Sequence, residues 1–138
     1  MLAQMNFRSL AWWLWAILAA LMAWGLAGQP LARDAAMALA VAQAVAYLFV
    51  YRSLRHFPTQ LRTAYVLWMA AGLVPPLFVL YWVLAAGTAA RALTGYCAMA
   101  RLLLLLPWNR SVPLTWRRMA IIAFHPAVIG SVQTGLPL

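Results

Sequence analysis

Few side chains in this sequence are able to carry chemistry, and their scarcity is informative. Asp34 is the only acidic side chain, and there is no glutamate. Carboxylate pairs, in which one group gives a proton while the other takes one or stabilises charge, are therefore excluded within one chain. Proton-coupled carriers normally relay through an intramembrane carboxylate or histidine, but Asp34 falls in a short polar break between apolar runs. The two histidines are His56, in an arginine-rich loop, and His125, which precedes a proline. A haem site of the bis-histidine kind wants both rings facing each other between helices, and zinc wants three or four protein ligands. Cys97 is the single cysteine, so no disulfide within the chain and no CxxC exchange pair exists. No catalytic residue, metal ligand or cofactor is expected. A redox subunit built on His56, His125 and Cys97 is the least supported class.

Three other features have a physical reason to be noticed. Gln43 sits in the middle of an apolar run, and a primary amide in hydrocarbon must find a hydrogen-bond partner. Arg101 lies five residues inside the end of another apolar run. Its guanidinium keeps its charge at every relevant pH, so it either snorkels to the interface or meets an anion outside its own chain. Pro75-Pro76 falls near the centre of the longest clean run. Each proline removes a backbone donor and constrains the residue before it, so a helix passing through must kink or break. Gln43, Pro75, Pro76 and Arg101 are accordingly the candidate ligand or partner contacts.

These residues must be positioned by apolar elements. Of the 138 residues, 67% are hydrophobic and 8% charged, against about 25% charged in an ordinary soluble domain. That excludes a water-soluble globule and a disordered chain. Four apolar runs stand out: residues 10–27, 35–51, 64–86 and 87–106. Each is close to the roughly 20 residues that cross a bilayer as a helix. The expected fold is an all-α integral membrane protein, an up-down bundle of four transmembrane helices whose third is kinked at Pro75-Pro76. Residues 1–9 form a cytoplasmic N-terminus, 10–106 the transmembrane domain, and 107–138 a cytoplasmic or interfacial tail. The first run offers Gly25-Leu26-Ala27 at signal-cleavage spacing, but its length and its four tryptophans favour a retained span. Alanines at every fourth position, Ala32, Ala36, Ala40 and Ala44 in the second run and Ala19, Ala23 and Ala27 in the first, predict a tight helical hairpin.

Charge sets the orientation. All ten basic residues are arginines and the net charge is +9. Long apolar stretches separate them, so they do not form the continuous basic face of a nucleic-acid binder. In a four-span arrangement Arg8, Arg52, Arg55, Arg62, Arg101, Arg110, Arg117 and Arg118 share one side, with Arg33 and Arg91 opposite. The positive-inside rule then places both termini in the cytoplasm, and the arginine-only basic set suits the inner membrane of a GC-rich bacterium. In the tail, Trp108 and Trp116 alternate with Arg110, Arg117 and Arg118. Such a mixture suits the headgroup layer and anionic lipids. The functional expectation is a non-catalytic accessory, assembly or anchoring subunit of an inner-membrane complex, with a protein partner or a homo-oligomeric state. The alternative is a small oligomeric transporter or channel component.

Overall fold

A computed structural model describes residues 10–128 and 132–138, the side chain of Thr134 excepted, and the regular structure among them is helical throughout. The expected cytoplasmic N-terminus, 1–9, lies outside the described residues. Four longer helices form the body: α1 (Leu10–Leu26), α2 (Pro30–Tyr51), α3 (Phe57–Gly72) and α4 (Phe78–Thr94). Three short ones follow: α5 (Ala98–Leu104), α6 (Trp116–Phe124) and α7 (Val132–Gly135). The Pro30–Tyr51 helix and the stretch Pro75–Thr94 are long and apolar enough to cross a membrane, while α1 is apolar but shorter.

Local chemistry explains where the helices stop. Gly28, at φ +111°, turns the chain out of α1, a conformation that glycine adopts without steric cost. Proline follows in the first turn of α2 and again in the first turn of α3, where its missing N–H would have had no helical partner. Arg52 closes α2 in the left-handed region, its N–H bonded to the Leu48 carbonyl. Gly95 closes α4 in the same way, bonding back to Arg91.

The largest departure from expectation is at Pro75-Pro76. The third apolar run is not one kinked helix. The α3 helix ends at Gly72, Val74 is extended as a residue before proline prefers, and a single 3-10 turn, Pro75–Leu77, starts α4 in the reverse direction. The prolines make a hairpin turn. Two loss-of-donor sites in succession leave no helical path through, and the Val74 N–H caps the Ala71 carbonyl instead. The fourth expected run, 87–106, is likewise divided. Its first half completes α4, Gly95 ends that helix, and α5 begins after Cys97, whose thiol accepts the Ala100 N–H at 3.4 Å. The third expected helix began too late as well, since α3 starts at Phe57 rather than at 64.

The α1–α4 helices form a closed antiparallel ring in which each packs on two neighbours, including α4 back onto α1. Its core is Trp15, Leu18 and Met22 from α1, Ala36 and Ala40 from α2, Tyr65 and Met69 from α3, and Tyr81 and Leu84 from α4. The alanine stripe of α2 faces inward through Ala32, Ala36 and Ala40. In the first run, by contrast, Ala23 and Ala27 are exposed and Gly25 is buried. A Cβ on Gly25 would stand 2.4 Å from the Arg33 Cγ, and one on Gly72 only 2.7 Å from the Tyr81 backbone N. Gly72 thus allows α3 and α4 to touch beside their turn. Tryptophan indoles latch the ring: Trp12 Nε1 donates to the Ala92 carbonyl and Trp68 Nε1 to that of Leu80, both at 2.9 Å. Thr88 Oγ1 donates to the Leu84 carbonyl at 2.7 Å, and the Tyr65 hydroxyl and Thr88 Oγ1 share a hydrogen bond of 2.5 Å.

The tail folds over the end of the ring where α3 begins. Phe57, Cys97, Ala100, Leu104, Ile122, Val132 and Leu136 form a second, smaller core there.

Candidate functional site

The direction of α4 reorganises the charges. Its C-terminal end lies beside the start of α1, as the Trp12–Ala92 bond shows. Arg91 therefore belongs with Arg52, Arg55, Arg62, Arg101, Arg110, Arg117 and Arg118, not opposite them. Eight of the nine described arginines lie toward one end, and only Arg33, next to Asp34, lies toward the other.

One of the eight is buried in the bundle itself. Pro58 in the first turn sets α3 going at Phe57, and from that start Arg62, Tyr65, Met69 and Gly72 recur on one face. All four are buried, Arg62 at 6% exposure. Its guanidinium carbon lies 4.3 Å from the centre of the Trp15 ring and 4.7 Å from that of Tyr47. Nη2 donates to the Tyr47 hydroxyl at 3.3 Å, while Nε and Nη1 are shielded from solvent and have no acceptor among the described residues. Asp34 stands 13 positions before Tyr47 along α2, about 20 Å at helical rise, where its attraction is worth less than about 1 kcal/mol. Two desolvated cation–π contacts contribute about 2 kcal/mol each, against a desolvation cost of several kcal/mol for a buried ion. Arg62 is held in place by aromatic faces, and its charge is not neutralised by any acid.

A cavity of about 200 Å³ adjoins this side chain. All four bundle helices wall it: Trp15 from α1, Tyr47 from α2, Phe57 and Arg62 from α3, and Arg91 from α4. Cys97 and Ala100 at the start of α5 and Val132 of α7 also line it. Arg91 is steadied at one nitrogen, its Nη1 donating to the Gly95 carbonyl at 3.0 Å. Next to the cavity, sharing Trp15, Arg91 and Cys97, runs a narrow apolar slot bordered by Val83 and Leu102.

Arg101 is a different kind of buried arginine. At 3% exposure it donates from Nη1 to the Ile122 carbonyl at 2.6 Å and from Nη2 to the Pro126 carbonyl at 3.0 Å, and it lies over the Tyr96 ring. Ile122 is in the last turn of α6, where carbonyls lack helical partners and a cation is favoured. Arg101 thus finds acceptors inside its own chain, neither at the interface nor on an outside anion. Its neighbours in the sequence support the same clamp. The Tyr96 hydroxyl donates to the Ala123 carbonyl, and the Asn109 amide donates to Gln60 Oε1 at 2.7 Å and to the Leu103 carbonyl at 2.9 Å.

The remaining sequence candidates are spread through the fold. Gln43 is buried in α2 with neither amide atom hydrogen-bonded among the described residues. Pro75 and Pro76 are exposed at the opposite end of the bundle from Arg62. Trp108 and Trp116 are strongly exposed. Arg110 bonds the Leu105 carbonyl and Arg118 that of Pro113 at 2.7 Å, while Arg117 is exposed. On α6, Trp116, Ala120, Ala123 and Phe124 share an outward face, opposite the buried Ile122. His56 stacks against Tyr51 on the surface, and Cys97 is buried in the tail core. Among the described residues no three His, Cys, Asp or Glu side chains gather.

Arg62, Arg91, Tyr47 and Trp15 were not singled out by sequence reasoning. Starting α3 at the His56-Phe57-Pro58 signal would have put Arg62 on the core face with Tyr65 and Met69. No family model, curated protein or solved structure matches this chain.

Proposed function

We propose that the chain is a four-span protein of the bacterial inner membrane, with its arginine-rich end and both termini in the cytoplasm, and that it serves as a non-catalytic accessory, assembly or anchoring subunit of a membrane complex. The observation that carries this reading is the segregation of eight described arginines to one end of a bundle whose sides are apolar. Trp13, Ile17, Phe49, Leu67, Val79 and Leu93 are all exposed on those sides, more apolar surface than a water-soluble monomer shows. One-sided arginine near helix ends is the signature of cytoplasmic loops. The tail adds exposed Trp108, Trp116 and Phe124 beside Arg117, a composition suited to anionic headgroups.

Reporter fusions test the orientation. Fusions at Val74 should report the periplasm, and fusions at Gly95 and at the C-terminus the cytoplasm. A periplasmic signal at Gly95 would overturn the arrangement. Native gels of membranes with and without the chain test the accessory role: one membrane complex should shrink or disappear without it. An unchanged set of complexes would remove that role.

A small oligomeric transporter is the second reading, favoured by Gln43, whose unbonded amide is buried in α2. Solute flux into reconstituted vesicles that falls with Gln43→Ala would support it. Flux no greater than that of empty vesicles would end it.

A further inference from the structure

We infer that the cavity beside Arg62 is a binding site for the phosphate group of an anionic amphiphile, with Arg62 and Arg91 as its cationic ligands. Arg62 is more than nine-tenths buried, lines the cavity, and has two nitrogens without an acceptor among the described residues. Arg91 reaches the same cavity from α4, and the one acidic side chain of the protein is at the far end of the bundle. Two cations line the cavity, Arg62 from α3 and Arg91 from α4, and with no acid to pair them they form a receptor for an anion. The planar fork of arginine donors matches phosphate oxygens in pairs. Trp15 and Tyr47 pack on the guanidinium of Arg62, so little side-chain freedom is lost when an anion arrives.

The apolar slot identifies the rest of the ligand. It shares Trp15, Arg91 and Cys97 with the cavity, and its border residues Val83 and Leu102 are about half exposed on the outside of the protein. A methylene chain attached to the phosphate can leave by that route toward the apolar surroundings of the bundle. The cavity, about 200 Å³, has room for a headgroup and little more. The lipid as the source of the phosphate rests on the membrane reading above, whereas the phosphate chemistry does not. Free phosphate would satisfy the same donors.

Calorimetric titration of the full chain in an uncharged detergent distinguishes the sources. The probes are dihexanoyl phosphatidic acid, dihexanoyl phosphatidylcholine and inorganic phosphate. Phosphatidic acid should bind saturably, with phosphatidylcholine weaker by about tenfold or more because its quaternary ammonium meets two cations. Arg62→Gln and Arg91→Gln should each weaken phosphatidic acid by about tenfold. The exposed Arg55→Gln should change it by less than about twofold. Inorganic phosphate binding as tightly as phosphatidic acid, with the same dependence on Arg62 and Arg91, would confirm the anion site and assign a free anion to it. Equal binding of both lipids overturns the inference, as does a phosphatidic acid affinity insensitive to Arg91→Gln, or an equal loss in Arg55→Gln. If Arg62→Gln does not fold, the half-buried Arg91 carries the test. Reporter fusions judge the membrane topology separately, so the two ideas fail independently.

Discussion

Arg62 and Arg101 are both buried arginines, and they are buried for opposite reasons. Arg101 fills a place where the backbone has spare acceptors: the end of α6 and the Pro126 carbonyl each take one of its nitrogens. Arg62 bonds no backbone carbonyl through Nε or Nη1 among the described residues, and is held by the faces of Trp15 and Tyr47. A helix interior spends its carbonyls on its own N–H groups, while a helix end does not. Burial alone therefore does not reveal what an arginine is for; the state of the nearby carbonyls does. Arg101 is a clamp that the fold needs. Arg62 is a charge that the fold tolerates.

The contrast can be broken by substitution, and the effects should fall in a clear order. Arg101→Met should be the most damaging, at about 3–5 kcal/mol, because it orphans buried carbonyls as well as removing charge-assisted bonds. The tail should then be cut by protease near residues 110–130 while the bundle stays helical. Asn109→Ala should cost about 1–2 kcal/mol by releasing Gln60 and the Leu103 carbonyl, read as a lower thermal midpoint. If it equals Arg101→Met, the two act as one unit and the clamp is larger than one side chain. Tyr47→Phe keeps the ring over Arg62 and removes only a long hydrogen bond, so a loss of about 0.5 kcal/mol is expected. Arg62→Met should be the mildest in the absence of anion, with a loss below about 0.5 kcal/mol or a gain in stability. Replacing an uncompensated buried charge by an apolar chain of similar volume removes its desolvation cost. A loss of several kcal/mol from Arg62→Met would erase the difference between the two arginines.

Much of the fold could be read in advance, and the errors share a cause. The all-helical class, the turn at Gly28–Pro30 and the end of α2 near Arg52 follow from short-range rules about glycine, proline and apolar length. The third and fourth runs were misdivided because apolar composition continues across Pro75-Pro76 and through Gly95, although the backbone does not. Pro75-Pro76 is legible as a break, but its residues alone do not distinguish a bend within one helix from a reversal between two. Reading it as a bend moves the later boundaries and puts Arg91 at the opposite end, while starting the third run at 64 leaves out the inward face that carries Arg62. The polar candidates suffered in turn. Arg101 was noticed because it interrupts an apolar run, whereas Arg62 stands in a polar stretch, RSLRHFPTQLR, where one more arginine draws no attention.

By itself, then, the sequence determines an apolar chain with a single acid and arginine as its only basic residue apart from two histidines, because these are sums over residues and need no partner to be defined. Its prolines and glycines also determine where helices can stop, since those are limits on local backbone geometry. Only the tertiary structure decides which arginine is hydrogen-bonded to backbone carbonyls and which is left beside a cavity. That depends on which helix faces meet, and residues as far apart as Trp15, Tyr47, Arg62 and Arg91 come together only when the ring of four helices closes.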